Sequence, residues 1–184
     1  LFGYTDQAID PRVSLGPDDD RLSNYEGVLP GFDSVLDLTR RYQPWRDHLK
    51  ARGMYTDGMD AMSTVELLAT ENTRPADVSV SAFMTDVFID WMRAQGSPWF
   101  AHVSYIRPHP PYAAAGEFSS MYDPVSVDMP IPRAADIHKF HETMLTVPTC
   151  AAPDTEEGIR QMRAQYYGMV SEVDHQLGRL FDAL

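Results

Sequence analysis

Apolar residues recur at steps of three and four near the end of the chain: Ile159, Met162, Tyr166, Met169, Val170, Val173, Leu177, Leu180 and Leu184. That period predicts a long amphipathic helix with this stripe turned to the core. Asp154, with Glu157 three places on, has the form of a capping box that opens it. Arg160, Arg163, Glu172, Asp174 and Arg179 mostly fall off the stripe and are assigned to its other face. Gly168 sits inside the helix, where glycine costs about 1 kcal/mol relative to alanine, and so points to close approach of another backbone. A second helix is predicted from Ser79 or Ser81 to about Gln95, closed by Gly96. Phe83, Val87 and Trp91 form its stripe, flanked by Val80 and Ala94. It leads through Gly96-Ser97-Pro98 into residues 99–106, where Trp99, Phe100, Val103, Tyr105 and Ile106 predict a short buried strand.

Elsewhere the pattern is weaker. Residues 1–5 read as the close of a strand, and the chain stops inside a helical pattern at Leu184, so it is expected to be an internal piece of a longer protein. A helix is predicted after Asp33 as N-cap, with Val35, Leu36 and Thr39 facing inward. Pro44 interrupts it and opens another turn or two, which Gly53 closes. Residues 53–80 hold little periodicity and read as a surface excursion. Residues 113–153 read as a long ordered excursion over the sheet, because Phe118, Met121, Tyr122 and Ile131 need somewhere to pack. Helix, tight link, strand and loop in this order predict an α/β fold with a central sheet flanked by helices.

Residues 107–112 cannot be regular structure. Pro108, Pro110 and Pro111 lack amide hydrogens and push their neighbours toward extended backbone, so strand pairing stops there. The result is a stiff loop carrying Arg107 and His109 at the carboxyl end of a strand, the place where ligands bind in open α/β sheets. Prolines on both sides restrict His109, as a positioned catalytic group requires. Other candidates carry less. Asp18 to Asp20 lack the alternating spacing of a calcium loop and read as a solvated acidic loop. Cys150 is a lone thiol in a Pro/Ala loop with no cysteine partner for a metal site. His138 and His141 read as a surface pair rather than zinc ligands, His102 as a hydrogen-bonded core residue, and His48 and His175 as helix-surface residues. No nucleophile elbow, phosphate loop or dinucleotide glycine fingerprint is present. The residues alone therefore give an α/β piece with a strand-end histidine, functional or structural.

Composition narrows the partners. The chain has 184 residues, 43% of them hydrophobic, enough for one domain with a real core. Its net charge of −12 argues against nucleic acid, which is bound by clustered Lys and Arg, but leaves room for a small anionic substrate at a local cationic site. No run approaches the roughly 20 apolar residues that cross a bilayer, so no membrane partner is expected. The single cysteine excludes an internal disulfide.

Three stretches together resemble the sulfatase branch of the alkaline-phosphatase-like superfamily, and specifically its phosphonate monoester hydrolase and arylsulfatase relatives. They are Gly3-Tyr4-Thr5 with Asp10-Pro11-Arg12; then residues 100–112 with Met121-Tyr122-Asp123-Pro124 and Asp128-Met129-Pro130; then Arg160-Gln161-Met162-Arg163-Ala164 through Tyr167-Gly168 to Glu172-Val173-Asp174 and Leu177-Gly178-Arg179. The match spans almost the whole chain, least well over residues 23–80.

The resemblance implies part of an incomplete alkaline-phosphatase-like sulfatase fold. Residues 1–184 would be the internal part of one catalytic domain that hydrolyses sulfate esters, or phosphonate esters and phosphodiesters. It implies a formylglycine nucleophile and a divalent cation, Ca or Mn, whose ligands lie outside this chain, so no metal ligand is assigned within it. Cys150 is followed by Ala151-Ala152-Pro153-Asp154, not the Cys-x-Pro-x-Arg that formylglycine formation uses. His109 is carried over as the residue contacting sulfuryl or phosphoryl oxygens, and Tyr4 and Thr5 as substrate contacts. Arg107 is carried either as a positive charge in the anion pocket or as a structural ion pair. Asp174 is expected to brace neighbouring backbone. Asp6 stands where some relatives have threonine, and its carboxylate would repel an anionic ester. The implied partner is a small anionic ester, with room for a homo-oligomer of the full-length protein. A non-catalytic anion-binding relative is the remaining alternative, and the 184 residues alone are expected to be inactive.

Overall fold

The computed structural model describes residues 1–6, 11–13, 15–19, 22, 26–39, 41–132, 136–147 and 151–184. Cys150, Asp10 and Asp20, singled out above, lie outside them. Two short strands, β1 (Phe2–Gly3) and β2 (Leu36–Asp37), pair in parallel with Phe2 opposite Leu36. Among the described residues five α-helices follow: α1 (Gln43–Ala51), α2 (Thr64–Leu68), α3 (Val80–Arg93), α4 (Lys139–Leu145) and α5 (Glu156–Ala183). The architecture is a helix-rich α/β layer with a small sheet.

The expected strand over 99–106 contracts to a single parallel bridge between Phe2 and Val103, closed by Phe2 N–H to His102 O and Ser104 N–H to Phe2 O, both 2.9 Å. Among the described residues only Phe2 pairs with this stretch from another segment, and the prolines beyond remove further donors. Trp99 and Phe100 are 40% and 80% exposed rather than buried. Trp99 packs edge-on against Trp91 and Phe88. His102 is exposed, not a core residue, and its ring lies against Phe32.

No helix follows Asp33. Leu36 joins the sheet through a backbone partner far away in sequence, which local periodicity cannot register. The chain then turns sharply: Asp37 accepts from the Thr39 amide and hydroxyl, and Arg41 and Tyr42 take left-handed backbone, φ 53° and 58°, through which no α-helix continues. α1 begins only beyond them, with proline in its first turn as expected.

Residues 53–80 are not a surface excursion. Ser63 and Glu66 form a complete capping box that starts α2, and Leu67, Leu68, Glu71, Arg74 and Val78 are buried. α3 opens on the Ser79 N-cap, and its buried face runs through Val80, Met84, Phe88 and Met92. It is a quarter-turn or so from the predicted stripe, so Val87 and Trp91 pack at its margin and Ala94 is exposed. The core gathers Phe2, Tyr4, Leu38, Trp45, Leu49, Leu67, Met84 and Phe88, with Trp45 donating its indole N–H to Val78 O.

α5 is capped by Thr155, one residue later than predicted, and at 28 residues is about 42 Å long. Its buried face shares Met169 and Leu180 with the apolar stripe but otherwise departs from it. Ala164, Gln165, Gly168, Met169, Glu172, Gln176 and Leu180 are buried, while Tyr166, Val170, Leu177 and Leu184 are exposed. Residues 114–119 cross this face as an extended stretch that runs into a 3₁₀ turn (Gly116–Ser120), and its backbone polar groups need partners. Gln165 supplies both kinds, accepting from Ala114 N–H at 3.0 Å and donating to Ser119 O at 2.7 Å. Gly168 makes the crossing possible: a Cβ there would lie 2.3 Å from Phe118 O and 2.9 Å from the Ala114 Cβ. Asp174 is exposed on this helix.

Candidate active site

β1 ends at Gly3, whose φ of 96° suits glycine, and a Cβ there would meet Ser104 O at 2.7 Å. That close approach lays Tyr4 and Asp6 against Ser104, Tyr105 and Ile106. Beyond Ile106 the chain folds into a tight turn, His109 N–H donating to Ile106 O at 2.9 Å. Tyr4, Asp6, Ser104, Tyr105, Ile106 and His109 together line a cleft of roughly 460 Å³. His109 is exposed at its rim, with Nδ1 2.7 Å from Pro110 O. Tyr4 is buried, and its hydroxyl is hydrogen-bonded to Tyr42, whose phenol is pushed above its ordinary range by burial and then by Tyr4 and Glu26. Tyr105 reaches past the cleft to bond Thr85, 2.6 Å between hydroxyls, and burial raises its pKa also.

His109 and Tyr4, carried over from two separate stretches, thus line one cleft. Thr5 does not join them: its hydroxyl and amide both donate to Gly27 O, at 3.0 and 2.7 Å, so it anchors the wall instead. Arg107 points the other way. Its side chain and that of Glu71 are both 0% exposed, and they form an ion pair beneath the loop. Of its two expected roles, the surroundings match the structural one rather than an anion contact.

A second carboxylate, Glu172 of α5, lies behind this pair. Burial, then the neighbouring Glu71 charge, push its pKa up to about 7, against the hydrogen bonds from Ser79 and Ala115 and the charge of Arg107. Its Oε1 is buried without a hydrogen-bond partner. Sequence reasoning missed Glu71 altogether and placed Glu172 on the wrong face. The one available signal was Arg107 itself, since a guanidinium turned inward needs a counter-charge.

Among the described residues, no group of three or more His, Cys, Asp or Glu is placed to hold a metal ion. His138 caps α4 with its ring and His141 is exposed within it. Nor is any described helix long and apolar enough to cross a membrane.

Comparison with solved structures sets the class of fold. The chain aligns with the phosphonate monoester hydrolase of Agrobacterium radiobacter at a TM-score of 0.80 and 34% identity, over 100% of this chain and 40% of that one. It aligns with SpPMH, a phosphonate monoester hydrolase from Silicibacter pomeroyi, at 0.78 and 32%, over 99% and 40%. These are alkaline-phosphatase-like hydrolases. The sulfatase family model matches residues 21–184, and the chain belongs to that family. Curated relatives include the multifunctional alkaline phosphatase superfamily protein PehA of Trinickia caryophylli, 27% identical over 98% of this chain and 40% of that protein. Arylsulfatase K of Bos taurus is 25% identical over 88% and 37%. The chain spans about 40% of the length of each of these relatives.

Proposed function

We propose that this chain is the central part of a larger catalytic domain that hydrolyses sulfate monoesters. The observation that carries the reading is the shared cleft of His109 and Tyr4, two residues that the family resemblance assigns to one substrate. The likeness to two phosphonate monoester hydrolases supports a second reading, phosphonate monoesters and phosphodiesters, on the same scaffold. In both readings a formylglycine nucleophile and the ligands of a divalent cation, Ca or Mn, come from outside these 184 residues. When bound, the cation polarises the ester oxygens.

The residues of this chain do the rest. The contact between His109 Nδ1 and Pro110 O favours a proton on Nδ1 and turns Nε2 to the substrate. As imidazolium, His109 donates from Nδ1 to Pro110 and from Nε2 to a non-bridging oxygen or to the leaving oxygen. Tyr4 bounds the oxyanion from the other wall. Asp6 adds one negative charge to the cleft, favouring singly charged sulfates and phosphonate monoesters over doubly charged phosphate monoesters. Oligomeric assembly of the full-length protein is compatible with this reading.

The test is to assay the full-length protein on p-nitrophenyl sulfate and p-nitrophenyl phenylphosphonate side by side. Turnover of either is expected, with His109→Ala lowering kcat/KM by about 10²–10⁴-fold. Absence of turnover on both rejects the hydrolase reading and leaves an anion-binding role. Hydrolysis by the isolated 184 residues would overturn the placement of the nucleophile outside them.

A further inference from the structure

We infer that Arg107, clamped by Glu71, is the residue that positions His109, acting through the carbonyls of the His109 loop itself. The inference rests on the reading of His109 as the group that faces the ester. Residues 108–111 contain three prolines and a single amide, that of His109, which is already bonded to Ile106 O. The loop therefore has no further backbone donor with which to organise itself. The guanidinium supplies donors in their place. Nη1 donates to His109 O at 3.0 Å and to Pro111 O at 2.7 Å, the carbonyls on either side of Pro110. Nη2 donates to Leu68 O at 2.9 Å and to Glu71 Oε2, and Nε donates to the same oxygen at 2.7 Å.

An arginine has five N–H donors, and these five contacts engage all of them. Glu71 is fixed in turn, its other oxygen accepting from Val80 N–H at 2.9 Å in the first turn of α3. A continuous line thus runs from the start of α3 through Glu71 and Arg107 to the backbone of His109. Both side chains are shielded from water, so the line is neither screened nor replaced by solvent. Lysine cannot stand in, because a point charge with three donors does not reproduce a planar fork spread over three carbonyls and a carboxylate.

A pair that merely stabilised the fold would leave catalysis intact wherever folding survives. The discriminating variant is the double substitution Glu71→Met with Arg107→Met in the full-length protein. It removes both charges of the pair together, so neither is left buried without the other. Arg107→Lys and the isosteric Glu71→Gln accompany it, and Glu71→Gln carries the same readouts if the double variant does not fold. Folding is checked by circular dichroism and thermal unfolding.

Positioning predicts a folded protein whose kcat on p-nitrophenyl sulfate falls about 100-fold with KM within about threefold, and no rescue by Arg107→Lys. It also predicts altered ring nitrogen signals of His109 in protein labelled with ¹⁵N-histidine, as the imidazole loses its fixed relation to Pro110 O. A folded double variant with kcat within about threefold of wild type and unchanged ring signals overturns the inference. If the wild type hydrolyses neither ester, the hydrolase reading fails on its own. The ring signals then decide positioning: altered in the double variant they support it, unchanged they overturn it.

Discussion

The two walls of the cleft are built on different principles. The wall of Tyr4, Thr5 and Asp6 continues β1 and is secured by backbone: Phe2 bonds to His102 and Ser104, Leu38 N–H donates to Gly3 O, and Thr5 and Gly27 exchange a pair of amide bonds. The wall carrying His109 is secured by side chains, one guanidinium and one carboxylate under a loop with a single amide. Side-chain replacement cannot delete a backbone bond, so the first wall tolerates substitution except where the backbone itself is crowded. The second stands or falls with two residues.

The largest expected effect is therefore Glu71→Ala. Leaving Arg107 buried without its partner costs about 3–5 kcal/mol, read as a drop in unfolding free energy of the full-length protein. A loss under about 1 kcal/mol would erase the contrast between the walls. Next comes the pH dependence of Glu172, which stands behind the same wall with Glu71 and Arg107 beside it. Its folded-state pKa of about 7 lies above the ordinary 4.5, so its contribution is fully present below about pH 4.5 and is lost as pH rises through 7. That gap corresponds to roughly 3 kcal/mol. Denaturant unfolding at pH 4.5 and 7.5 should show a slope that Glu172→Gln flattens, and an unchanged slope in the variant would remove Glu172 as its source.

Gly3→Ala tests the backbone-held wall at its one crowded point. A Cβ 2.7 Å from Ser104 O on left-handed backbone should cost about 1–3 kcal/mol and widen the seam between the walls. Thermal unfolding reads the first effect and KM the second. The smallest change is expected from Thr5→Val, about 1 kcal/mol or less, because the amide bonds with Gly27 remain when the hydroxyl is lost. A larger loss would show that this wall, too, depends on side chains.

The features legible in the sequence were those with a local physical cause. Ser79 as a cap, Pro44 in a first helical turn and the long period of α5 each depend on neighbours within a few residues. Gly168 was readable because glycine in a helix needs a reason, and Phe118 O supplies it. The family resemblance assigned His109 and Tyr4 to one substrate, and both side chains line one cleft. The rest depends on partners far along the chain. Leu36 is a strand because of Phe2, and Arg107 meets a carboxylate 36 residues away. On α5 the apolar stripe was taken as the inner face, whereas Gln165, Glu172 and Gln176 are buried, the first two accepting from the amides of Ala114 and Ala115. Hydrophobic pattern reports where oil-like surface could be buried, not where amides require acceptors.

Gly168 has a mechanical consequence as well. A rod of 28 residues crossing another segment could, in principle, slide or roll and still find contacts. Here the crossing is keyed by one missing atom, and moving the rod one notch brings Tyr167 or Met169 into a gap that has no space for a methyl. The absolute indexing of the whole rod, and with it the depth at which Glu172 sits behind the Arg107–Glu71 pair, is thus set at a single tooth.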